Sequence, residues 1–438
     1  MRELHATRKL ILLFADAACM LLGAFLGTYM EFGRKAYIEF ANHYYAIPLM
    51  IVVFCVLFNI NNLFSLARKV FSELLLGITI NVLLTNILLM AISFFAREFI
   101  FSRKVLIYTF FAQLFLLAVV NYIFWRWERK LSSPKSVLLI GDKQECGLII
   151  DKIHVWGEQF NHKNICCSYQ ESWTDIISDF DTVIVGDSLG LEEKRNVIYK
   201  AHKHGKRVII LPSIYGIFAQ GMILDYLDDI PVFKSPYLKP TAEQRMLKRG
   251  LDILGATVGL IVLSPVMIAT AAAIFVDSPG NPMYTQRRIG QNEKEFVMYK
   301  FRSMCLNAEK KTGAVLATVN DPRITKVGAF IRRTRIDELP QLLNVLMGDM
   351  SLVGPRPERK VFVEQFKQTF PEYGYRHAIK PGITGMAQVY GKYNTAAYNK
   401  LIYDLMYIQK CNVFTDLSII IQTIKVLFMK KSTEGVSG

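Results

Sequence analysis

No pair of cysteines at C-x-x-C spacing occurs among the seven in this chain. That absence removes zinc modules and dithiol redox motifs from the available readings, and an odd, scattered set fits a reducing compartment. Basic residues form no stripe with interleaved stacking aromatics, so no nucleic acid is expected as a partner. The net charge of +15 suits anionic lipid headgroups or phosphorylated substrates instead. A signal peptide is missing too. The first apolar run is too long for an h-region and no small-residue cleavage site follows it, so it reads as an anchor.

What the chain does have is apolar length. Its 438 residues allow two or three domains, and 52% hydrophobic content is too high for an ordinary soluble enzyme. The excess lies in Leu10–Met30, Tyr45–Phe64, Leu74–Ala96 and Val105–Trp125, each roughly 20 residues and so able to cross about 30 Å of hydrocarbon. Residues 1–130 are therefore expected to form a four-helix transmembrane bundle. Arg2, Arg8, Lys9, Arg68, Lys69, Arg126, Arg129, Lys130 and Lys135 flank the spans on one side, nine against the five of Arg34, Lys35, Arg97, Arg103 and Lys104 on the other. This bias places both ends of the bundle, and all that follows, in the cytoplasm. Asp16 is an ionisable group inside the first span. It lies near the cytoplasmic end, so reaching the interface is the plainer expectation.

Ser132-Ser133-Pro134 reads as a linker into a small Rossmann-like α/β domain, residues 135–240. Ser136–Gly141, Asp181–Gly186 and Arg207–Leu211 are strand signals, with helices at Gln144–Ile153 and Glu192–His204. Strand and helix alternating at this spacing imply a parallel sheet. The first loop, Gly141-Asp142-Lys143-Gln144-Glu145-Cys146-Gly147, lacks the second glycine of a dinucleotide fingerprint, because lysine stands at 143. A degenerate domain without nucleotide is expected.

Gly250–Val276 carries one charge, Asp252, and is long enough for a fifth span. Crossing would carry the remaining residues away from cytoplasmic nucleotides. Lys248 and Arg249 before it and Arg287 and Arg288 after it are all basic, and Ser264-Pro265 interrupts it midway. A re-entrant helix, residues 250–276, kinked at Ser264 and Pro265, meets all three observations.

The chemistry is concentrated in Arg332-Arg333-Thr334-Arg335-Ile336-Asp337-Glu338-Leu339-Pro340-Gln341. Leu339, Leu342, Leu343 and Leu346 have helical spacing, Pro340 suits a first turn and Gly348 is a stop. Asp337 and Glu338 are thus expected at a helix N-terminus, where free N–H groups hold negative charge. Simple capping would explain an isolated acidic pair. Three arginines within five residues, with Arg356 to follow, call for more.

With Pro282–Glu309, Asn320–Thr325, Ile331–Glu358 and Lys380–Gly385 taken in order, the chain resembles the bacterial sugar transferase family, the monotopic polyprenyl-phosphate phosphoglycosyl transferases. The resemblance covers about residues 241–430. With the bundle and degenerate α/β domain, the chain looks like the family's long form. It implies a multi-domain membrane protein whose catalytic domain, mixed and mostly helical, carries the re-entrant helix. The expected reaction moves a sugar-1-phosphate, hexose-1-phosphate as the first expectation, from a UDP-sugar to undecaprenyl phosphate. UMP is released, in the first membrane step of capsule, exopolysaccharide or O-antigen synthesis.

In that resemblance Asp337 is the nucleophile and Glu338 places the metal or activates the acceptor. The metal is Mg²⁺, held by Asp337 and Glu338. Arg332 matches a phosphate-binding arginine, as do Lys300 and Arg302 in Lys300-Phe301-Arg302-Ser303-Met304. Pro355-Arg356-Pro357 matches the motif near the nucleotide. Arg333 and Arg335 are expected to face solvent or lipid, and the family commonly has a small or polar residue where Arg335 stands. The setting is the bacterial cytoplasmic (inner) membrane, with the catalytic domain on its cytoplasmic face and the lipid bilayer as a partner; a homodimer is left open. Two other classes stay in view. A membrane-tethered sugar-nucleotide epimerase or dehydratase would need an intact glycine fingerprint, and a non-catalytic scaffold would lack the carboxylate pair.

Overall fold

The computed structural model describes residues 2–42, 46–61, 63, 70–95, 102–131, 135–156, 160–168, 173–235, 239–306, 321–391 and 395–427. The Ser132-Ser133-Pro134 linker, Arg68, Lys69, Arg97 and Asn320 lie outside them. The chain forms two compact units, residues 1–213 and 214–438.

The first unit opens with helices α1 (Arg2–Phe32), α2 (Ala36–Asn42), α3 (Ala46–Ile60), α4 (Phe71–Phe95) and α5 (Arg103–Leu131). Among the described residues, four stretches are long and apolar enough to cross a membrane: Thr7–Ala41, Phe71–Ile92, Arg103–Lys130 and, in the second unit, Ala242–Asp277. The expected second span is the shorter α3, 15 residues, about 22 Å at a helical rise. Apolar side chains such as Phe14, Phe94, Phe111 and Phe115 face outward, as a lipid solvent permits. The interior instead holds amides. Gln113 Nε2 donates to the Met20 carbonyl at 3.1 Å, and Asn86 Nδ2 to Gln113 Oε1 at 3.1 Å. Asp16 corrects the interface expectation: it is fully buried and accepts a 2.7 Å hydrogen bond from Asn121 Nδ2 on α5. In hydrocarbon, a polar partner on a neighbouring helix is the available substitute for water.

Four parallel strands follow, β1 (Lys135–Ile140), β2 (Phe160–Ser168), β3 (Thr182–Val185) and β4 (Arg207–Ile210), in the order β2-β1-β3-β4. Helices α6 (Lys143–Trp156), α7 (Trp173–Ile176) and α8 (Leu191–Lys203) connect them. Three strands match the apolar runs. β2 was not expected, because Phe-Asn-His-Lys-Asn offers no apolar alternation to mark it.

The second unit begins earlier than the composition suggested. Helix α9 (Ile214–Gln220) sits in this unit's core through Ile217, whose carbonyl accepts from Gln409 Nε2 at 2.8 Å. An antiparallel hairpin, β5 (Ile223–Leu227) and β6 (Ile230–Lys234), precedes α10 (Ala242–Asp277). Thr241 and Gln244 cap α10 reciprocally, Gln244 N–H to Thr241 Oγ1 at 3.2 Å and Thr241 N–H to Gln244 Oε1 at 3.0 Å. The helix runs 36 residues with Pro265 inside it, and Ser264 Oγ donates to the Ile261 carbonyl at 2.8 Å.

The remaining elements are the hairpin β7 (Met283–Ile289) and β8 (Glu295–Phe301), helices α11 (Lys326–Arg333) and α12 (Gln341–Met347), β9 (Ser351–Val353), α13 (Lys360–Thr369), β10 (Gly382–Thr384), α14 (Met386–Tyr390), α15 (Ala397–Gln409) and α16 (Val413–Leu427). They hold α10 along its length. Near its start Lys248 Nζ pairs with Asp416 Oδ2 at 2.6 Å and donates to Tyr407 Oη at 3.0 Å and the Val353 carbonyl at 2.9 Å. Arg249 donates to the carbonyls of Val345 and Leu346, which end α12, and Asp252 Oδ1 accepts from Ser351 Oγ and Leu352 N–H. Further along, Ala256, Leu260 and Leu263 pack on Leu342 and Val345, and Met267, Ala271 and Ile274 pack on Phe301 and Ile331. At its end Asp277 Oδ2 accepts from Val327 N–H at 3.0 Å. The other face, with Leu254, Val258, Ile261, Val262, Ile268 and Phe275, is exposed and apolar. On α16, Ile419 and Ile421 are core, while Ile424 and Leu427 are exposed.

Lys248→Ala leaves the Asp416 carboxylate buried without its cation. The expected cost is on the order of 3 kcal/mol, read as a lowered Tm of the detergent-solubilised chain. An unchanged Tm would show that this contact does not seat α10.

Candidate active site

The carboxylate pair is positioned by a chain reversal. Thr325 caps α11, its Oγ1 accepting from Gly328 N–H at 2.9 Å. After Arg333 the helix ends, and Arg335 adopts left-handed backbone, φ +58°, at a cost of about 1 kcal/mol for a residue with a Cβ. A single 3-10 turn follows, Ile336–Glu338, and then Leu339 and Pro340 lead into α12. The pair therefore sits a turn ahead of α12 and not on its first N–H groups, which corrects the helix-start expectation. The left-handed turn gives a physical reason for a small or polar residue at position 335. Here the arginine there brings its guanidinium to 3.8 Å from Glu338 Oε2 while 35% of its side chain stays exposed, so it borders the site and is not fully solvated.

Glu338 is buried, and three cations compensate it. Lys300 Nζ on β8 lies 3.0 Å from Oε1, Arg356 Nη2 2.5 Å from Oε1, and Arg356 Nη1 3.3 Å from Oε2. Burial opposes ionisation of Glu338, but Arg356 and Lys300 outweigh it and hold the carboxyl well below the usual range. Burial pushes the Lys300 ammonium down, and Glu338 opposes that push. Asp337 differs. Its carboxylate makes no hydrogen bond to any described residue and is pushed up to about 6, first by burial and second by the like charge of Glu338, against Lys300, Arg332 and Arg356. The two adjacent carboxyls are thus shifted in opposite directions. Glu338 is committed to cations, and the Asp337 carboxylate has no ion pair among the described residues.

Pro355, Arg356 and Pro357 form an irregular segment braced from behind. Gly382 N–H donates to the Pro355 carbonyl at 3.0 Å, and Arg288 Nη1 to that of Pro357 at 3.3 Å. Arg376 Nη2 donates to the Arg356 carbonyl at 2.9 Å, while its Nε holds Asp404 Oδ2 at 2.9 Å. Gly382 is required for close approach: a Cβ there would lie 2.0 Å from the Gly354 nitrogen. That accounts for the Lys380–Gly385 motif as a brace. Sequence reasoning missed Arg288, Arg376 and Asp404; four residues before Lys380, Arg376 stands in no spacing that would mark it.

Of the expected site residues, Lys300, Asp337, Glu338 and Arg356 come together, flanked by Pro355 and Pro357. Arg332, on the last turn of α11, contributes its positive field at Asp337. Arg302 does not join them. It is buried and donates from Nη2 to the Ser278 carbonyl just past α10, while its Nε and Nη1 have no hydrogen-bond partner among the described residues. Arg333 is exposed, as expected. Among the described residues no cluster of three metal-ligating side chains exists.

The family model described as bacterial sugar transferase matches residues 243–430. The exopolysaccharide production protein PSS of Rhizobium leguminosarum bv. phaseoli is 41% identical over 187 residues, which are 41% of this chain and 94% of that protein. The chain belongs to the bacterial sugar transferase family. Longer relatives are similar as well. The UDP-N-acetylgalactosamine-undecaprenyl-phosphate N-acetylgalactosaminephosphotransferase of Aeromonas hydrophila is 46% identical over 193 residues, 43% of this chain and 45% of that protein. The UDP-glucose:undecaprenyl-phosphate glucose-1-phosphate transferase of Escherichia coli (strain K12) is 39% identical over 230 residues, 51% of this chain and 49% of that protein. The chain thus spans about half the length of these two relatives. The family match contains the whole carboxylate and arginine cluster and all of α10 but its first residue.

Glu338→Ala leaves Lys300 and Arg356 without their shared counterion. Expected is a loss on the order of 3 kcal/mol in thermal unfolding, with Glu338→Gln intermediate. A residue serving only as a ligand for an added ion would leave stability unchanged.

Proposed function

We propose that this chain transfers a sugar-1-phosphate, a hexose-1-phosphate, from a UDP-sugar to undecaprenyl phosphate and releases UMP. The observation that carries the reading is the unpaired Asp337 carboxylate beside a fully compensated Glu338, in a ring of Lys300, Arg332, Arg335 and Arg356. A phosphate-binding site needs the cations, and a carboxylate left free among them is available to attack phosphorus.

In the first step an Asp337 carboxylate oxygen bonds to the phosphorus that carries the sugar. The bridging P–O bond breaks, and its electron pair leaves with UMP. In the second, an oxygen of undecaprenyl phosphate attacks the same phosphorus, forms the lipid diphosphate sugar and returns Asp337 as carboxylate. Lys300, Arg332 and Arg356 offset the negative charge that gathers on the phosphoryl oxygens. Glu338 holds Lys300 and Arg356 in place.

The donor chemistry fits Mg²⁺, which takes one or two carboxylates and fills the remaining positions with phosphate oxygens and water. Asp337 is the uncommitted oxygen donor, and Glu338 would join it by yielding part of its contact with Arg356 or Lys300. Such an ion would supply charge neutralisation across the diphosphate. The bilayer supplies the acceptor. Both ends of α10 bond to one unit, through Lys248 and Asp277, while its outward face is apolar. That supports a helix that enters the cytoplasmic leaflet and returns. In this reading the reaction lies on the cytoplasmic face of the inner membrane, as a first step of capsule, exopolysaccharide or O-antigen assembly.

The test is UMP release by purified protein with Mg²⁺, undecaprenyl phosphate and a panel of UDP-sugars. The relatives named above make UDP-glucose and UDP-N-acetylgalactosamine its first members. Asp337→Ala is expected to lower the rate on the order of 10³-fold or more. Because the attacking form is ionised and its pKa is raised to about 6, the first half-reaction should fall roughly tenfold per unit below that pH. An active Asp337→Ala would remove the covalent route, and no turnover with any UDP-sugar would remove the donor class.

A further inference from the structure

In the sheet order β2-β1-β3-β4 the chain leaves β1 toward one edge, and β3 lies on its other side. Open parallel sheets leave a crevice at such a reversal, beyond the carboxyl ends of the strands, and ligands of these sheets sit there. In this chain the crevice is bounded by Gly141 after β1 and by Gly186-Asp187-Ser188 after β3.

The crevice is already filled. Glu145, in the first turn of α6, turns its carboxylate back over the strand ends. Asp187 N–H donates to its Oε1 at 2.6 Å, and Ser188 Oγ and Ser188 N–H donate to its Oε2 at 2.6 and 3.3 Å. Ser188 Oγ in turn accepts from Asp142 N–H at 3.0 Å, joining the loops after β1 and β3. Asp142 Oδ1 accepts from Glu145 N–H at 2.7 Å and fixes where residue 145 begins. The flanking glycines are shaped to this occupant. An added Cβ would lie 2.2 Å from Oε2 at Gly186 and 2.9 Å from it at Gly141. Two backbone N–H groups and a hydroxyl converging on one oxyanion are the donor set that phosphate recognition uses.

We propose that the α/β domain contains an oxyanion cradle of the phosphate type, with Asp187 N–H, Ser188 N–H and Ser188 Oγ as donors, occupied by the chain's own Glu145. The internal carboxylate closes the crevice to nucleotide phosphates. Removing it opens the cradle to a free oxyanion of similar size and charge. The two glycines then serve a side chain and not a pyrophosphate, which gives the incomplete glycine fingerprint a structural meaning.

The test is hydrogen–deuterium exchange on the full-length protein in detergent, comparing wild type with Glu145→Ala in sodium chloride, sodium acetate and inorganic phosphate at matched ionic strength. The amides of residues 186–190 should exchange roughly tenfold faster in the variant, the loss of charge-assisted hydrogen bonds. Phosphate or acetate should restore their protection, whereas chloride should not. Wild type should be insensitive to phosphate, UDP and NAD at the same peptides. If Glu145→Ala unfolds the domain, recovery of the fold by phosphate and not chloride is the same positive result, and recovery by neither overturns the cradle. Undiminished protection in the variant, or added protection of wild type by a nucleotide, would also overturn the proposal.

Discussion

The catalytic unit is organised around one buried carboxylate that must be neutralised. A Glu338 side chain removed from water is tolerable only if cations and donors replace the lost hydration, and three separate segments supply them. Lys300 comes from β8, Arg335 from the left-handed turn and Arg356 from the irregular Pro355–Pro357 segment. Each contributor needs its own support, which is why Arg376, Asp404 and Gly382 matter although none of them touches Glu338. The arrangement fixes three cations in a small volume. It also commits Glu338 so fully that the neighbouring Asp337 remains the unpaired group.

Helix α10 is the second constraint. It is apolar enough to cross a bilayer, yet its inner face is bound to one unit from Lys248 to Asp277. Contacts with α11, α12 and β9 seat one side of it in that unit. Its outward side is apolar, so the same helix offers the unit a membrane-compatible surface.

Much of this was legible in the sequence because motifs and apolar runs are local. The Asp337-Glu338 pair, Lys300 and Arg356 could be named from their motifs, and three strands of the α/β domain from continuous apolar segments. What could not be read depends on contacts made across the chain. Arg302 sits two residues from Lys300, but β8 ends at Phe301 and the residue after it reaches the Ser278 carbonyl past the end of α10. Arg335 looked like surface charge until the left-handed turn brought it to Glu338. Asp16 gave no sign of its partner, since Asn121 lies on a helix far along the chain. β2 carries polar residues, so periodicity does not reveal it, and Glu145 reads as an ordinary helix-start acid until the glycines of two strands are placed beside it.

The division of labour between the two carboxylates is the central claim, and withholding the acceptor isolates it. Protein incubated with a UDP-sugar that supports turnover, without undecaprenyl phosphate, should be digested and weighed by mass spectrometry. The account predicts that the peptide containing residues 336–338 gains the mass of one sugar phosphate, located on Asp337. A protein that turns over with acceptor but carries no such adduct, or carries it on Glu338, would contradict the account.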